Sequence, residues 1–422
     1  MNAAEAIATL LPGATIAVGG SNAEPRQLVE ELRAQSERLA PTTALVWPGG
    51  FASGLADPAL AGRIDLRLSV PNRSTRAALR SGQAAYVPGS LHALLRRLAA
   101  GEPRLDAAVV MVAPPDADGW CSLGTSAVNM KVACDVAPHI VAEVNDQMPR
   151  TGGGCAIHRS QITCAVDVSY ALPDVSPAAT TEDDQRMSRA VAELVPDGAT
   201  IQCGIGATPD AVLTALRQRH DLAIWSGIIG DGIVDLAEAG ALRALSTGTH
   251  APIVTGSVLG SRRLYEFVHE NPLVEVHSGL VTHDPFRLAQ LERLVSIQSA
   301  LEIDLSGQVN AEEAAGELVA GSGGMLDFAR GAQLAPGGIN ILVLRSTAGN
   351  GRASRIVPQL APGAPVTMPR ADVTWVVTEH GAVNLEGLTL GERRDALLSI
   401  ADPAHREALS SGRAPEPQEV GA

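Results

Sequence analysis

Short apolar runs alternate with amphipathic stretches along most of this chain. In the first half, residues 106–112 (DAAVVMV) and 140–144 (IVAEV) have the composition of buried strands. In the second half, the strand candidates are residues 201–203, 223–225, 253–254, 339–344 and 373–377. Helices are predicted between strands, for example over residues 210–217, and a last helix over residues 392–400. This alternation predicts an α/β protein with mainly parallel sheets joined by right-handed crossovers.

Two distant segments of the chain follow the same plan. Residues 11–32 (LPGATIAVGGSNAEPRQLVEEL) and 195–216 (VPDGATIQCGIGATPDAVLTAL) each pass from a proline turn through an apolar run and a glycine turn into a helix pattern. Similarity at this separation predicts two related open α/β halves. The proline-containing, acidic region 169–186 is the predicted linker. We therefore expect domains over residues 1–185 and 186–412, and a frayed tail over 413–422.

The composition agrees with this architecture. The 422 residues are enough for about two domains. Hydrophobic residues make up 45% of the chain and aromatic residues only 3%, so the core must consist mostly of Ala, Val, Leu and Ile. Such a core suits helices packed on a parallel sheet whose central strands are buried on both faces.

Charge and cysteine content argue against several classes of protein. The formal net charge of −14 argues against non-specific nucleic-acid binding and against attachment to an anionic membrane. No uninterrupted apolar run reaches the length of a membrane-spanning helix, and Glu5 and Pro12 do not suit a signal peptide. The five cysteines contain no CxxC pair, which argues against structural zinc and disulfides. We expect a soluble, cytoplasmic protein without a metal.

Two glycine-rich loops are the first candidates for a binding site. Gly204, Ile205 and Gly206 follow a predicted strand and precede a helix. There, backbone N–H groups and the positive end of the helix can hold an anion. The second loop, residues 321–324 (GSGG), is bracketed by apolar residues. Each loop is also compatible with a plain tight turn or, for the second, a flexible surface loop, because short glycine motifs are weakly specific.

Residues 296–332 (SIQSALEIDLSGQVNAEEAAGELVAGSGGMLDFARGA) are more distinctive, because both the order and the spacing of their residues are particular. This stretch resembles the acetyl-CoA hydrolase/transferase family, which includes 4-hydroxybutyrate and succinate CoA-transferases. Further similar runs cover most of the chain, at residues 112–124, 142–151, 157–158, 198–209, 231–236, 260–272, 354–358, 369–373 and 377–381.

The resemblance implies a class I CoA-transferase fold with the active site in the cleft between the two halves. It also implies an acyl-CoA substrate, an acceptor and a homodimer. Backbone N–H groups of Ile205 and of Gly323 or Gly324 would form an oxyanion site for the thioester carbonyl, and Asn310 would lie near the acyl group. The remaining candidates for coenzyme A binding are Gly204, Gly206, Ser322, Met325 and Arg355.

The chain departs from the family at the residue that performs the chemistry. Family transferases use a glutamate to attack the thioester, and that position corresponds here to Gly227, with Trp225 in place of a usual histidine. Residues 214–230 contain Asp221 but no glutamate. Met325 replaces a frequent glutamine, and Asn384 and Glu386 also differ from the family pattern.

Several other side chains could replace the missing carboxylate, each with a simpler structural interpretation. Cys203 could be a nucleophile or a small buried residue, and His158 or His380 could be a base or a structural histidine. Asp231 is expected to be structural, and Ser226 should point away from Gly227 along a strand. Glu143 and Glu379 lie in family-like runs, but no spacing brings either to the thioester.

Three functions remain open from the sequence. In the first, Gly227 leaves room for water, an alcohol or an amine to attack the thioester directly, which would make the protein a hydrolase or acyltransferase. In the second, the protein is a CoA-transferase with a displaced nucleophile that passes coenzyme A to a carboxylate. In the third, it is a non-catalytic acyl-CoA-binding subunit.

Overall fold

The computed structural model describes residues 1–46, 54–175, 179–243 and 251–411. The predicted tail 413–422 and part of the predicted linker lie outside these ranges. Within them, no helix is long and apolar enough to cross a membrane.

The N-terminal half is built on a seven-stranded sheet with the strand order β4-β3-β2-β1-β5-β7-β9, in which every pair is parallel. The strands of this sheet are β1 (Thr15–Val18), β2 (Thr42–Val46), β3 (Ile64–Leu68), β4 (Ala84–Tyr86), β5 (Ala107–Val112), β7 (Ile140–Asn145) and β9 (Cys164–Val168). A separate antiparallel pair consists of β6 (Trp120–Ser122) and β8 (Ala156–His158). Its α-helices are α1 (Ala3–Ala8), α2 (Arg26–Ala34), α3 (Ser36–Leu39), α4 (Arg76–Ser81), α5 (Leu91–Ala99) and α6 (Met130–Val136).

The C-terminal half is built on an eight-stranded sheet with the order β13-β12-β11-β10-β14-β19-β23-β24, in which only β24 runs antiparallel. Its helices are α7 (Glu182–Leu194), α8 (Ala207–Ala215), α9 (Gly232–Glu238), α10 (Arg262–Val268), α11 (Gly279–Thr282), α12 (Pro285–Leu288), α13 (Met325–Leu334), α14 (Leu390–Ser399) and α15 (Arg406–Ser410). The strands of this sheet are β10 (Thr200–Cys203), β11 (Ala223–Ser226), β12 (Ile253–Thr255), β13 (Val274–Val276), β14 (Leu294–Ser299), β19 (Ile339–Val343), β23 (Trp375–Thr378) and β24 (Gly381–Asn384). Smaller sheets contain β15 (Glu302–Asp304), β16 (Val309–Asn310), β17 (Glu313–Ala314), β18 (Glu317–Leu318), β20 (Thr347–Ala348), β21 (Ala353–Ser354) and β22 (Ile356–Val357).

The two large sheets share one topology, which confirms the predicted pair of related α/β halves. In each sheet the first strand of the half lies near the centre, three strands follow in order on one side, and the later strands lie on the other. The two segments with a common sequence plan supply these central strands, β1 and β10. The predicted strand over residues 106–112 is β5, in which all six residues are buried, as expected for a parallel strand covered on both faces.

The predicted boundary after residue 185 falls inside helix α7. A capping box between Thr181 and Asp184 begins this helix, and Asp184 also accepts a hydrogen bond from Thr208 and pairs with Arg345 at 2.7 Å. Because these partners belong to the C-terminal half, we propose that the second domain begins with α7 rather than within it.

The two halves meet along the ends of strands and helices. The N–H groups of Ala127 and Val128 donate to the carbonyl of Gly256, which follows β12. The Gly279 N–H, at the start of α11, donates to the Val128 carbonyl over 2.6 Å. Helix α5 of the N-terminal half also packs against α11. The contact places α5 next to the loops that carry the candidate site.

Candidate active site

The first glycine loop and Gly227 lie at the same edge of the C-terminal sheet. Strands β10 and β11 are parallel neighbours, so the segments that follow them emerge together. The Ser226 hydroxyl lies 2.7 Å from the Cys203 carbonyl oxygen, which joins the ends of the two strands. Further on, Ile205 Cγ2 lies 3.3 Å from where a Cβ of Gly230 would stand.

The second glycine loop crosses between the two halves. A Cβ added at Gly321 would stand 2.5 Å from the Ser69 carbonyl oxygen, so this close approach requires glycine. The Ser322 hydroxyl donates to the Gly89 carbonyl over 2.9 Å, and the Gly323 carbonyl accepts from the Leu91 N–H over 2.9 Å. The loop is thereby fixed to the start of helix α5.

The predicted oxyanion donors have unoccupied N–H groups. Within the described ranges, no protein oxygen accepts a hydrogen bond from the N–H of Ile205, Gly323 or Gly324. The two loops lead into helices α8 and α13, whose N-terminal ends carry partial positive charge. These groups can stabilise negative charge on a carbonyl oxygen, which is the task of an oxyanion site.

A buried histidine fills the space beside Gly227. A Cβ added at Gly227 would stand 2.6 Å from Nε2 and 2.7 Å from Cε1 of His283, and a Cβ added at Gly324 would also stand 2.6 Å from Nε2. The His283 ring is 3% exposed and packs against Phe328, with 4.7 Å between ring centroids. The imidazole therefore occupies the gap between the Gly227 loop and the second glycine loop.

This arrangement corrects the expectation that Gly227 leaves free room for an acceptor. The glycine does lack a side chain, but the imidazole of His283 lies where that side chain would begin. His283 is one of ten histidines, and it lies between α11 and α12, far from Gly227 in the sequence. No local pattern distinguished it, because only the packing of α11 beside β11 brings the two residues together.

The electrostatic surroundings keep His283 neutral. Burial lowers the pKa of His283 to about 3, and the nearby His92 lowers it further when protonated. The Nδ1 atom lies 2.9 Å from the Thr282 hydroxyl, which also lies 3.4 Å from the Ser278 carbonyl oxygen. At neutral pH the site thus contains an uncharged imidazole.

Helix α5 brings a second histidine to this junction. The His92 N–H donates to Asp327 Oδ2 over 3.0 Å, so a carboxylate of α13 caps the start of α5. The His92 Nδ1 atom is buried and has no hydrogen-bond partner among the described residues. His92, like His283, was not among the residues predicted from the sequence.

Three predicted binding residues lie in different surroundings. The Asn310 amide is committed to its own turn, where Nδ2 donates to the Glu313 carbonyl over 2.8 Å and Oδ1 accepts from the Glu312 N–H over 3.0 Å. Met325 is buried in the apolar core beneath α13. Burial lowers the pKa of the half-buried Arg355, as does the neighbouring Arg345. Their predicted roles toward the acyl group and coenzyme A stay predictions.

The alternative nucleophiles and bases have structural partners. Burial raises the pKa of Cys203 to about 12, which keeps its thiol protonated. The Glu143 carboxylate accepts from the Leu28 N–H and the Tyr170 hydroxyl, and Glu379 accepts from the Ser346 N–H and hydroxyl. Asp231 accepts from Ser261. The half-buried His158 ring packs edge-on against Trp120, and its nitrogens contact the Ser160 hydroxyl and the Asp118 carbonyl. His380 lies 3.7 Å from both Glu379 and Asp402.

In the part of the chain that the structure describes, no cluster of three potential metal ligands occurs.

The fold and these loops define an α/β protein of the CoA-transferase type, and comparison with known proteins identifies the family. Residues 1–172 match the acetyl-CoA hydrolase/transferase N-terminal domain, and residues 260–412 match the C-terminal domain of the same family. The chain is 40% identical to 4-hydroxybutyrate coenzyme A transferase of Clostridium kluyveri, over 79% of this chain and 78% of that protein.

Solved structures agree with this relationship along nearly the whole chain. RipA from Yersinia pestis is 31% identical, with a TM-score of 0.91 over 98% of this chain and 96% of that one. The 4-hydroxybutyrate CoA-transferase of Porphyromonas gingivalis is 34% identical, with a TM-score of 0.81 over 97% and 96% of the two chains. The protein therefore belongs to the acetyl-CoA hydrolase/transferase family and is an enzyme that acts on acyl-CoA thioesters.

Proposed function

We propose that this enzyme transfers the acyl group of an acyl-CoA directly to a small acceptor, with water as the first candidate. An alcohol or an amine is chemically equivalent, because each attacks the carbonyl carbon through a lone pair and releases a proton. The reaction would take place between the halves, where the two glycine loops flank Gly227. No glutamyl intermediate would form at that position.

The observation that carries this proposal is the pair formed by Gly227 and His283. A covalent CoA-transfer sequence requires a carboxylate that attacks the thioester. Position 227 has no side chain, and the buried imidazole occupies the space into which a glutamate would extend. The unoccupied N–H groups of Ile205 and Gly323 remain available to the thioester oxygen. The proposed site thus combines free backbone N–H donors with a residue 227 that has no side chain.

We assign coenzyme A to the open side of the glycine loops. Among the described atoms, none lies within 4 Å of a Cβ built on Gly204, Gly206 or Gly323, so a ligand could approach their backbones closely. Ser322 and the half-buried Arg355 are further candidates, since a hydroxyl and a guanidinium suit the amide and phosphate groups of the cofactor.

CoA transfer to a carboxylate is the second candidate, and the names of the relatives favour it. The similar proteins include a 4-hydroxybutyrate coenzyme A transferase and a succinyl-CoA:cyclohexane-1-carboxylate CoA transferase. This route requires a carboxylate from elsewhere in the chain. Those of Glu143, Asp231, Asp327 and Glu379 each already accept hydrogen bonds from structural partners. The non-catalytic interpretation has no support from these relatives.

A single-turnover reaction in H₂¹⁸O would test the proposal. The enzyme in excess would be mixed with acyl-CoAs of different chain length, and products would be analysed by mass spectrometry with and without added carboxylates. Direct hydrolysis introduces ¹⁸O into the released acid in the first turnover. Exchange that depends on an added carboxylate, with an acid that carries oxygen from the enzyme, would reject direct transfer.

We also propose a cytoplasmic, homodimeric enzyme. The five cysteines are free and buried, which suits a reducing compartment, and the homodimer rests on the resemblance to the family. Light scattering coupled to size-exclusion chromatography would measure the mass in solution, and cell fractionation would test the location. A monomer, or enzyme recovered outside the cytoplasm, would contradict these assignments.

A further inference from the structure

The imidazole of His283 is held in one orientation by its neighbours. Thr282 Oγ1 lies 2.9 Å from Nδ1, and the Phe328 ring packs against the imidazole at a tilt of 57°. On the opposite side, both Gly227 and Gly324 approach Nε2 so closely that neither could carry a Cβ. Two neighbouring glycines thus make room for one nitrogen atom of this ring.

The distance from the Cβ position of Gly227 to Nε2 can be compared with the length of a glutamate side chain. Nε2 lies 2.6 Å from the Cβ position of Gly227. In a glutamate, the carboxyl carbon lies about 2.5 Å from Cβ, as follows from two carbon–carbon bonds and the angle between them. The distance from the Cβ position of residue 227 to the imidazole nitrogen is therefore similar to the distance from Cβ to the carboxyl carbon in a glutamate.

The Thr282 hydroxyl has two possible partners. It can donate to Nδ1 of His283 over 2.9 Å, or it can donate to the Ser278 carbonyl over 3.4 Å and accept from an Nδ1–H. The role of a base requires the second tautomer. In this tautomer Nε2 has a free lone pair. Among the described residues, no group donates a hydrogen bond to Nε2, which lies between the backbones of Gly227 and Gly324 in a residue that is 3% exposed.

We propose that His283 is the general base of this enzyme and removes the proton of the attacking acceptor. This inference rests on the proposed direct acyl transfer. As the acceptor oxygen or nitrogen bonds to the thioester carbon, its proton passes to Nε2 and the carbonyl oxygen becomes an oxyanion. When the tetrahedral intermediate collapses, the carbon–sulfur bond breaks and the proton passes from Nε2 to the coenzyme A sulfur. The imidazole is thereby neutral again, and no further reactant is needed.

The buried position suits this role because charge develops on both partners together. A neutral imidazole is the form that accepts a proton, and burial keeps His283 in that form. Its pKa of about 3 lies well below the operating pH, near which a general base works best, so proton transfer depends on the oxyanion that forms beside the ring. The imidazolium forms beside an oxyanion in a site of low dielectric constant, where the attraction between opposite charges is strong. The same surroundings make an isolated imidazolium unfavourable, so proton transfer is coupled to attack.

Chemical rescue of His283→Ala would test the assignment. The substitution opens a cavity between Gly227 and Gly324 into which free imidazole fits. With an acyl-CoA that the wild-type enzyme cleaves, we expect kcat to fall on the order of 100-fold or more, as is usual for loss of a general base. Added imidazole should restore part of kcat in a saturable manner, while the Kd of acyl-CoA stays unchanged.

Two further variants separate a base from a packing residue. His283→Gln fills much of the same volume and places an amide near Nε2, so it should remain folded but inactive. His220→Ala removes an exposed histidine outside the glycine loops and should keep wild-type kcat without responding to imidazole. Folding of every variant would be verified by circular dichroism and thermal unfolding.

The outcomes distinguish the two proposals. If wild-type enzyme cleaves the thioester directly and His283→Ala does so equally well, direct transfer stands and the assignment of His283 as the general base is wrong. Loss of kcat in a folded His283→Ala protein without imidazole rescue also overturns the assignment of the general base, because a purely structural role of His283 would explain that loss. If wild-type enzyme exchanges coenzyme A only with carboxylates, the proposed function itself fails.

Discussion

At the residue level, the most informative feature is the close contact between the imidazole of His283 and the backbones of Gly227 and Gly324. When the sequence is considered alone, the proposed absence of the family glutamate at Gly227 implies only the removal of a functional group. The structure shows that the same space contains His283, which is compatible only with glycine at positions 227 and 324. A side chain at position 227 or 324 would collide with the imidazole ring. We therefore expect substitutions at positions 227, 283 and 324 to occur together rather than independently.

The low pKa of His283 predicts a pH-dependent stability. Its pKa is about 3 in the folded protein against an ordinary value of 6.5, so between these values the unfolded chain binds a proton that the native chain does not. Stability is therefore lost as the pH falls below 6.5, and the loss at pH 5 relative to pH 8 is about 2 kcal/mol. The charge of His92 on α5 acts in the same direction.

Thermal unfolding of wild-type protein and His283→Asn at pH 8 and pH 5 would measure this effect. The asparagine amide can keep the contact with Thr282 but does not titrate. On acidification the wild-type Tm should fall further than that of the variant. Equal decreases in the two proteins would contradict a neutral, buried His283.

Cys203 is predicted to be chemically inert although it precedes the first glycine loop. Its thiol is fully buried and burial raises its pKa to about 12, so almost no thiolate exists at neutral pH. Cys203→Ala should therefore retain wild-type kcat, and native protein should resist alkylation at this residue, as peptide mass spectrometry can measure. Rapid labelling of native Cys203 together with loss of activity would restore the thiol as a candidate nucleophile.

At the level of elements, the site depends on how helix α5 meets the loop before α13. The Gly323 carbonyl accepts from the first N–H of α5, and Asp327 accepts from the second. The N-terminal half thus positions one glycine loop, while the parallel strands β10 and β11 position the other. Displacement of α5 should move the second loop, and with it the proposed oxyanion donors Gly323 and Gly324, without any change in a reacting group.

A methyl group at Gly321 should disturb this junction. In Gly321→Ala the new Cβ would lie 2.5 Å from the Ser69 carbonyl oxygen, a backbone atom that cannot rotate away. Overpacking of this kind costs about 1–3 kcal/mol. We expect a lower Tm and a reduced kcat, because the loop that carries Gly323 and Gly324 must shift.

Gly391→Ala is the matched control for that variant. Gly391 lies in α14, and no described atom stands within 4 Å of its Cβ position. Alanine should stabilise this helix by roughly 0.5–1 kcal/mol and leave kcat unchanged. If Gly321→Ala behaves like Gly391→Ala, the close packing of the second loop is not required for activity.

For the whole molecule, the sequence predicted the architecture better than the site. The buried run 106–112 and the common plan of segments 11–32 and 195–216 predicted strands and two related halves, because these features depend on local composition and period. His283 and His92 were missed because they reach the site through α11 and α5, and nothing in their local sequence indicates that contact. The role of Asn310 near the acyl group stays a prediction from the resemblance, and its amide makes hydrogen bonds within its own turn.

The contact between Gly227 and His283 also predicts a gain of function. Gly227→Glu alone should destabilise the protein, because its side chain collides with the buried ring of His283. The double variant Gly227→Glu/His283→Asn removes the ring and provides a carboxylate next to the oxyanion donors. It should exchange coenzyme A between an acyl-CoA and an added carboxylate, and it should form an enzyme-bound glutamyl thioester that borohydride reduces at residue 227.

His283→Asn alone provides the control, since it has the same cavity and no carboxylate. A folded double variant that binds acyl-CoA yet forms no adduct would show that the space beside Gly227 is not the place of attack, because the glutamate would then be present without reaching the thioester.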